Sequence, residues 1–173
     1  GKAIQQVTTR EQNLAEMLGG MQRDLAGRGI KVALAENDTV LRIKEDELSF
    51  ALGSHKLPPG SIQVVDTIGE VLLTWLAPEE RRKELDTVFV EGHSDAVKNY
   101  AEMGNWGLST YRAISVWRHW TETPGQFAVL SKLTNRSSRP LFSVSGYSDT
   151  RPVDLISSKD VDPAEGTSQD RRI

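Results

Sequence analysis

The residues best suited to recognition chemistry in this sequence are an aspartate, Asp95, and an arginine, Arg112. The aspartate ends a polar run that follows the apolar, β-branched run Val88 to Val90, and the arginine ends a Leu-Ser-x-x-Arg run. A guanidinium group can hold a carboxylate through two parallel hydrogen bonds, and N–H groups at a helix start can assist it. We therefore predict that both charges lie at the rim of one cleft, with a bound carboxylate facing Arg112.

A strand and a helix would position this pair. Residues Thr87 to Glu91 predict a buried strand, which a glycine stops before the polar residues begin. Ser109 fits a helix N-cap, which predicts a helix from Ser109 to Trp120 with Arg112 in its first turn. A cation there opposes the helix dipole by about 0.3–1 kcal/mol, and a bound carboxylate reverses that effect. A surface ion pair between Asp95 and Arg112, worth roughly 0–1 kcal/mol, explains the same residues without a ligand.

A second strand, Leu141 to Ser145, completes a predicted βαβ unit with parallel strands. Both strands end alike, in Gly-His-Ser-Asp at Gly92 to Asp95 and in Gly-Tyr-Ser-Asp at Gly146 to Asp149. Parallel strands present these ends at one edge of the sheet, where ligands of open α/β sheets bind. Residues recurring every three positions in the helix are expected to face the sheet: Tyr111, Ile114 and Trp117.

Further helices and a hairpin are predicted ahead of this unit. Residues Lys2 to Arg28 predict a helix whose seam follows steps of three and four with Glu11 as the one polar misfit, and its apolar members are Ile4, Val7, Leu14, Leu18, Met21 and Leu25. This pattern fits a seam between two copies of the chain and equally a helix docked on its own domain. A hairpin is predicted from Lys31 to Leu34 and Thr39 to Ile43 around a turn at Glu36 to Asp38. An amphipathic helix, Ser61 to Leu76, follows. The predicted domains are residues 1–29, a linker or dimerisation helix, and residues 30–173.

Composition excludes several classes of function. The chain has 173 residues, 38% hydrophobic and 26% charged, which are values of a globular domain. A net charge of −3 gives no reason to expect a nucleic-acid partner. Cysteine is absent, so disulfides and thiolate metal sites are excluded.

No catalytic or metal-binding pattern is present. The adjacent residues His93, Ser94 and Asp95 cannot form a catalytic triad, because a triad needs three groups that converge from separate segments. The histidines of the chain do not follow the spacing of known metal motifs. We therefore predict a protein that is not an enzyme and that holds no metal or cofactor.

Motifs in a fixed order resemble one known family. They are Gly92-His93-Ser94-Asp95, Asn105-x-x-Leu108-Ser109-x-x-Arg112-Ala113, Gly146-Tyr147-Ser148-Asp149-Thr150-Arg151-Pro152 and Arg171-Arg172-Ile173. The sequence from roughly Val32 to Ile173 is similar to the OmpA-like (OmpA/MotB) peptidoglycan-binding domain. The Asn105-Trp106 pair and the run from Gly146 to Pro152 resemble the MotB-type stator branch in particular.

The resemblance implies a fold and a ligand. The implied fold is α/β, an OmpA-like two-layer sandwich with a βαβ core after the N-terminal helix and hairpin. The family binds diaminopimelate of the peptidoglycan stem peptide without catalysis, and its binding aspartate and arginine match Asp95 and Arg112. We also expect Asn105 to order the loop or bind the peptide and Trp106 to line the site. Leu108 and Ser109 of the same motif complete the candidate site.

The MotB-type branch also implies a cellular role. Such a subunit anchors an ion-driven stator, flagellar or of the Zorya phage-defence type, to the cell wall. We therefore expect a periplasmic homodimer, an upstream inner-membrane helix outside this sequence and a MotA-like channel subunit as partner. The family's last strand would begin at Arg171 to Ile173. The alternative is an assembly module of a membrane complex whose wall-binding site is degenerate.

Overall fold

The computed structural model describes residues 1–35, 39–43, 47–122 and 126–150. The predicted turn at Glu36 to Asp38, the motif residues Arg151 and Pro152, and the predicted last strand at Arg171 to Ile173 lie outside these residues. Within the described ranges, no helix combines the length and the hydropathy needed to cross a membrane.

The order of elements confirms the predicted α/β class, with a helix and a hairpin ahead of a βαβ unit. The helices and strands are α1 (Lys2–Gly27), β1 (Val32–Ala35), β2 (Val40–Ile43), α2 (Ile62–Leu76), α3 (Glu79–Arg82), β3 (Val88–Gly92), α4 (Gly104–Glu122) and β4 (Phe142–Gly146). A 3₁₀ turn at Pro59–Ser61 leads into α2, and another at Ala128–Lys132 follows α4. The crossover from β3 to β4 therefore contains α4 and a short additional turn.

The strands pair as the sequence predicts. β3 and β4 run parallel, with Val88 opposite Phe142 and Gly92 opposite Gly146. Each of these strands begins and ends one residue later than predicted. β1 and β2 form an antiparallel hairpin with Val32 opposite Ile43. The parallel register sends the polar residues that follow β3 and β4 to the same edge of the sheet.

The buried side of α4 differs from the prediction. Tyr111 is 44% exposed, whereas Arg112, Ala113 and Val116 are buried. Trp117 is only partly buried and stacks on Phe142, with 5.1 Å between ring centroids. A step of three residues falls about 60° short of a full helical turn, so residues with that spacing drift around the helix. The buried face instead follows steps of three and four.

α1 has two parts with different surroundings. In its C-terminal half, Met17, Met21 and Leu25 are buried in the core, at about 1.5–3 kcal/mol for each side chain. Nε1 of Trp75 in α2 donates to Asp24 at 3.2 Å. This half is docked on its own domain.

The N-terminal half of α1 leaves apolar side chains in solvent. Ile4 is 71% and Val7 is 55% exposed. The closest charged contact of this half is Arg10 to Glu84 at 3.8 Å. The C-terminal half of α1 is therefore packed on its own domain, and the N-terminal half exposes the apolar side chains of the predicted seam.

An apolar cavity of about 390 Å³ lies between α1, the hairpin, α2 and β3. Its lining includes Met21, Ile68 and Val90. Asp95 and Arg112 are not among the lining residues, although His93, which accepts from Arg112, is one of them.

Candidate functional site

The site is built where α4 crosses the ends of β3 and β4. A Cβ atom on Gly92 would lie 1.8 Å from the backbone oxygen of Ser109, and one on Gly146 would lie 2.3 Å from Oγ1 of Thr110. Both distances are far below van der Waals contact. Glycine at the two opposite strand ends therefore lets the helix approach the sheet closely at this edge.

The polar residues beyond the strands continue the pairing. Ser94 N donates to Ser148 O at 2.8 Å, and Tyr147 N donates to Gly92 O at 3.1 Å. Ser148 N donates to Oγ of Ser109 at 2.9 Å, which ties this edge to α4. The prediction that two polar strand ends share one edge is confirmed.

The predicted start of the helix is wrong. α4 begins at Gly104, so Ser109 is in its second turn and is not an N-cap. Before the helix, Oδ1 of Asn99 accepts from Ala101 N at 3.0 Å, and Met103 and Gly104 have φ angles of 64° and 54°. This left-handed pair turns the chain into the helix earlier than the apolar pattern indicates.

The predicted effect of the helix dipole on Arg112 does not apply, because α4 begins at Gly104 and Arg112 lies beyond its first turn. The alternative of an ion pair at the surface is wrong about the location, because the exposed fraction is 2% for Asp95 and 0% for Arg112. Both charges are in the interior of the domain. A buried charge needs well-placed partners, and the structure supplies them.

The guanidinium of Arg112 is held by backbone carbonyls from two segments. Nη1 donates to His93 O at 2.8 Å, Nε to Ser54 O at 2.9 Å and Nη2 to Ala51 O at 3.3 Å. The ring of Phe50 lies below the guanidinium, with 5.1 Å from Cζ to the ring centroid. Arg112 therefore joins the end of β3 to the loop that precedes α2.

A side chain of α4 holds the segment after Asp95 in place. Nδ2 of Asn105 donates to Asp95 O and to Val97 O, both at 3.2 Å. Oδ1 of Asp95 accepts from Val97 N at 3.2 Å. Asn105 thus orders this loop, as one of its two predicted roles requires.

The other predicted site residues have different positions. Trp106 is 57% exposed, whereas Leu108 is 5% and Ser109 0% exposed. Ser94 Oγ and Asn105 Oδ1 are buried and have no hydrogen-bond partner within the described residues. These two oxygens are available to a ligand or to water beside Asp95.

The loop Phe50 to Ser54 carries no side chain that predicts a role in the site. Its carbonyls bind Arg112, and its Ser54 N donates to Ala51 O at 3.0 Å in a tight turn. The signal was present in the sequence as Phe-x-x-Gly-Ser, where Gly53 has a φ of 66°. Backbone carbonyls are the acceptors here, so side-chain types could not reveal the contact.

The arrangement favours recognition of a charged ligand. A carboxylate such as that of Asp95 can accept from an ammonium group, and a guanidinium such as that of Arg112 can donate to a carboxylate. Within the described part of the chain, no group of three or more His, Asp or Glu residues could hold a metal ion.

Comparison with known proteins then identifies the family. The sequence pattern of the OmpA family matches residues 49–165, which is more than half of the chain. The chain belongs to the OmpA family. The matched region contains the whole βαβ unit, with Asp95 and Arg112 inside it.

Solved structures are similar to this OmpA-family chain. One is a putative MotB-like protein from Desulfovibrio vulgaris, with 19% identity and a TM-score of 0.56 over 94% of this chain and 91% of that chain. Another is the cell wall anchor of the T6SS from Pseudomonas aeruginosa, with 25% identity and a TM-score of 0.47 over 92% of each chain. The first likeness shows the fold. No curated protein matches the sequence.

Proposed function

We propose that this OmpA-family domain binds cell-wall peptidoglycan, without catalysis, through diaminopimelate of the stem peptide. The end of the diaminopimelate side chain carries an ammonium and a carboxylate group on one carbon. The observation that carries the proposal is the joint placement of Asp95 and Arg112 at the end of β3. Arg112 holds the carbonyl of His93, and Asn105 holds the carbonyl of Asp95.

Each charge has a role in the proposal. Asp95 accepts from the ligand ammonium, and Arg112 donates two parallel hydrogen bonds to the ligand carboxylate. Because both side chains are buried, the ligand must displace a protein contact to reach them. The longest of the three contacts of Arg112, at 3.3 Å, is with Ala51 O. A carboxylate is a stronger acceptor than this carbonyl, so the ligand is expected to replace Ala51 O at Nη2.

The remaining site residues support this contact. Asn105 keeps the loop after Asp95 in place. Its Oδ1, which has no hydrogen-bond partner within the described residues, accepts from an N–H group of the ligand. Trp106 is exposed and contacts the bound peptidoglycan directly. Leu108 and Ser109 are buried and act by fixing α4 against the strand ends.

Pull-down with purified sacculi tests the proposal. The wild-type domain is expected in the pellet, and Asp95→Ala and Arg112→Ala are expected in the supernatant. Asp149→Ala is the matched control, because Asp149 ends the equivalent run after β4 and is exposed. Circular dichroism establishes that each variant is folded. Retention of binding by both Asp95→Ala and Arg112→Ala contradicts the site.

We propose further that the domain is periplasmic and anchors a stator, flagellar or phage-defensive, to the wall. This rests on the sequence resemblance to the MotB-type branch. Its partners are then a MotA-like channel subunit and an inner-membrane helix upstream of Gly1. Deleting the gene from its host separates the two roles: lost swimming in soft agar supports the flagellar stator, and increased phage plaquing supports the defensive one. No change in either assay contradicts the stator role.

A homodimer through the N-terminal half of α1 is part of this proposal, with residues 1–29 as the dimerisation helix that precedes residues 30–173. Ile4 and Val7 are exposed on this helix, and pairing would remove them from water. Light scattering is expected to show a dimer for the wild type and a monomer for Ile4→Glu/Val7→Glu. Thr8→Glu adds one charge outside the seam and is expected to stay dimeric. A monomeric wild type at high concentration contradicts the pairing.

The alternative function is assembly alone, with a degenerate wall site. The burial of Asp95 and Arg112 is the observation that favours it. Light scattering and the pull-down with sacculi together separate assembly alone from wall binding. An assembly module forms the dimer and remains in the supernatant when mixed with sacculi.

A further inference from the structure

Large apolar side chains are exposed along a short stretch beside the candidate site. We call this set the aromatic rim, and it consists of Tyr100 (87% exposed), Met103 (70%), Trp106 (57%) and Tyr111 (44%). In contrast, Trp120 on the same helix is 3% exposed. A cluster of exposed aromatic residues is informative, whereas a single exposed apolar residue is common.

The backbone holds the rim outward. Met103 has a φ of 64°, a left-handed conformation that is unfavourable for a residue with a side chain. Asn99 stabilises this turn, because its Oδ1 accepts from Ala101 N and its Nδ2 donates to Gly104 O. The domain therefore maintains a strained turn that places a long apolar side chain in solvent. Such strain is found preferentially at functional positions.

The rim adjoins the proposed diaminopimelate site along the chain. Asn105 lies between Met103 and Trp106 in sequence, and its side chain bonds to the carbonyls of Asp95 and Val97. A ligand held at Asp95 would therefore extend over the first turn of α4.

We infer that the aromatic rim binds the sugar rings of the glycan strand while Asp95 and Arg112 hold the peptide. This inference rests on the proposed function. One face of a pyranose ring consists of C–H groups and matches the flat apolar face of Trp106, while its hydroxyl and amide groups stay hydrated. Aromatic rings provide such contacts at little cost in conformational entropy.

The charges around the rim favour a hydrated ligand. Lys98 and Glu102 are exposed, and the Nζ atom of Lys98 lies 5.2 Å from the ring centroid of Tyr100. A lipid surface or a second copy of the chain would cover these charges and remove their water, which is costly. A sugar chain leaves both groups solvated.

Isothermal titration calorimetry with two soluble ligands tests the inference. The ligands are a tripeptide that contains diaminopimelate and the same tripeptide joined to its N-acetylated disaccharide. The wild type is expected to bind the disaccharide ligand about threefold to tenfold more tightly than the tripeptide. Trp106→Ala is expected to remove this difference, because the disaccharide ligand loses more affinity than the tripeptide. Trp106→Phe keeps an aromatic face and is expected to retain most of the difference.

Phe89→Ala is the control, because Phe89 is a 54% exposed aromatic residue in β3, away from the rim. It is expected to bind both ligands like the wild type.

Equal affinity of the wild type for the two ligands overturns the rim and leaves the diaminopimelate site intact. Equal losses for both ligands in Trp106→Ala overturn the rim as well, because they place Trp106 in the peptide site. Absence of tripeptide binding, with tight and Trp106-dependent binding of the disaccharide ligand, overturns the diaminopimelate site alone. Absence of binding of either ligand overturns both proposals.

Discussion

The two strand ends of the βαβ unit have nearly the same sequence and different environments. After β3, Asp95 is 2% exposed, and after β4, Asp149 is exposed. Asn105 binds the carbonyl of Asp95, whereas Asp149 accepts from the neighbouring Ser148 Oγ at 3.0 Å and, among residues 1–35, 39–43, 47–122 and 126–150, has no other side-chain hydrogen bond. A Gly-x-Ser-Asp run therefore becomes a candidate site only where side chains of a helix enclose it.

Adding a methyl group at each strand end gives the largest expected effect. In Gly92→Ala the new Cβ meets the Ser109 carbonyl at 1.8 Å, and this backbone atom cannot move without the helix. We expect the free energy of unfolding to fall by about 3 kcal/mol or more. In Gly146→Ala the new Cβ meets Oγ1 of Thr110 at 2.3 Å and, at 2.6 Å each, Oγ of Ser109 and the backbone N of Thr110. Because two of these three atoms belong to side chains and the backbone contact is longer than the one at Gly92, a smaller loss of about 1–3 kcal/mol is expected. Urea denaturation measures both, and a larger loss for Gly146→Ala would reverse the assigned order.

Arg112→Lys tests what holds the β3 end. A lysine keeps the charge but cannot reach the carbonyls of Ala51, Ser54 and His93 together. We expect a loss of about 2–3 kcal/mol in urea denaturation and a loss of binding to sacculi. Arg118→Lys is the matched control on the exposed side of α4, with an expected change within about 0.5 kcal/mol. Wild-type binding by Arg112→Lys would mean that only the charge matters.

Asn105→Ala removes the side chain that fixes the loop after β3. It deletes two hydrogen bonds to the loop after Asp95, which is expected to cost about 1–2 kcal/mol of stability. Loosening this loop is expected to weaken tripeptide binding about tenfold, measured by calorimetry. Unchanged affinity would show that the order of this loop does not matter to the ligand.

Ser109→Ala affects the β4 end, because Ser109 Oγ accepts from Ser148 N. We expect a stability loss of about 1 kcal/mol and tripeptide affinity within about twofold of the wild type. A loss of affinity as large as that of Asp95→Ala would show that the two strand ends work as one site.

Much of this edge follows from the sequence. The apolar run before Gly92 and its counterpart before Gly146 predict the parallel strands and their shared edge, since an apolar run and a terminal glycine are local signals. The start of α4 has no such local signal in the sequence. It depends on the left-handed conformation of Met103, which no side-chain pattern indicates.

The burial of the charges also depends on distant parts of the chain. Arg112 is enclosed by carbonyls of Ala51 and Ser54, which lie more than fifty residues earlier in the sequence. A carbonyl is present in every residue, so composition cannot mark these two as partners. The sequence identifies Arg112 as chemically important, and the tertiary fold determines that it is buried.

Tripeptides that differ only at their third residue test the central claim most directly. Lysine lacks the side-chain carboxylate of diaminopimelate, so it offers an ammonium to Asp95 and nothing to Arg112. Calorimetry of the wild-type domain is expected to show binding of the diaminopimelate tripeptide and at least about tenfold weaker binding of the lysine tripeptide. Asp149→Ala is expected to give the same result, and Asp95→Ala to bind neither peptide. Equal affinity of the wild type for the two tripeptides would contradict recognition by the Asp95 and Arg112 pair.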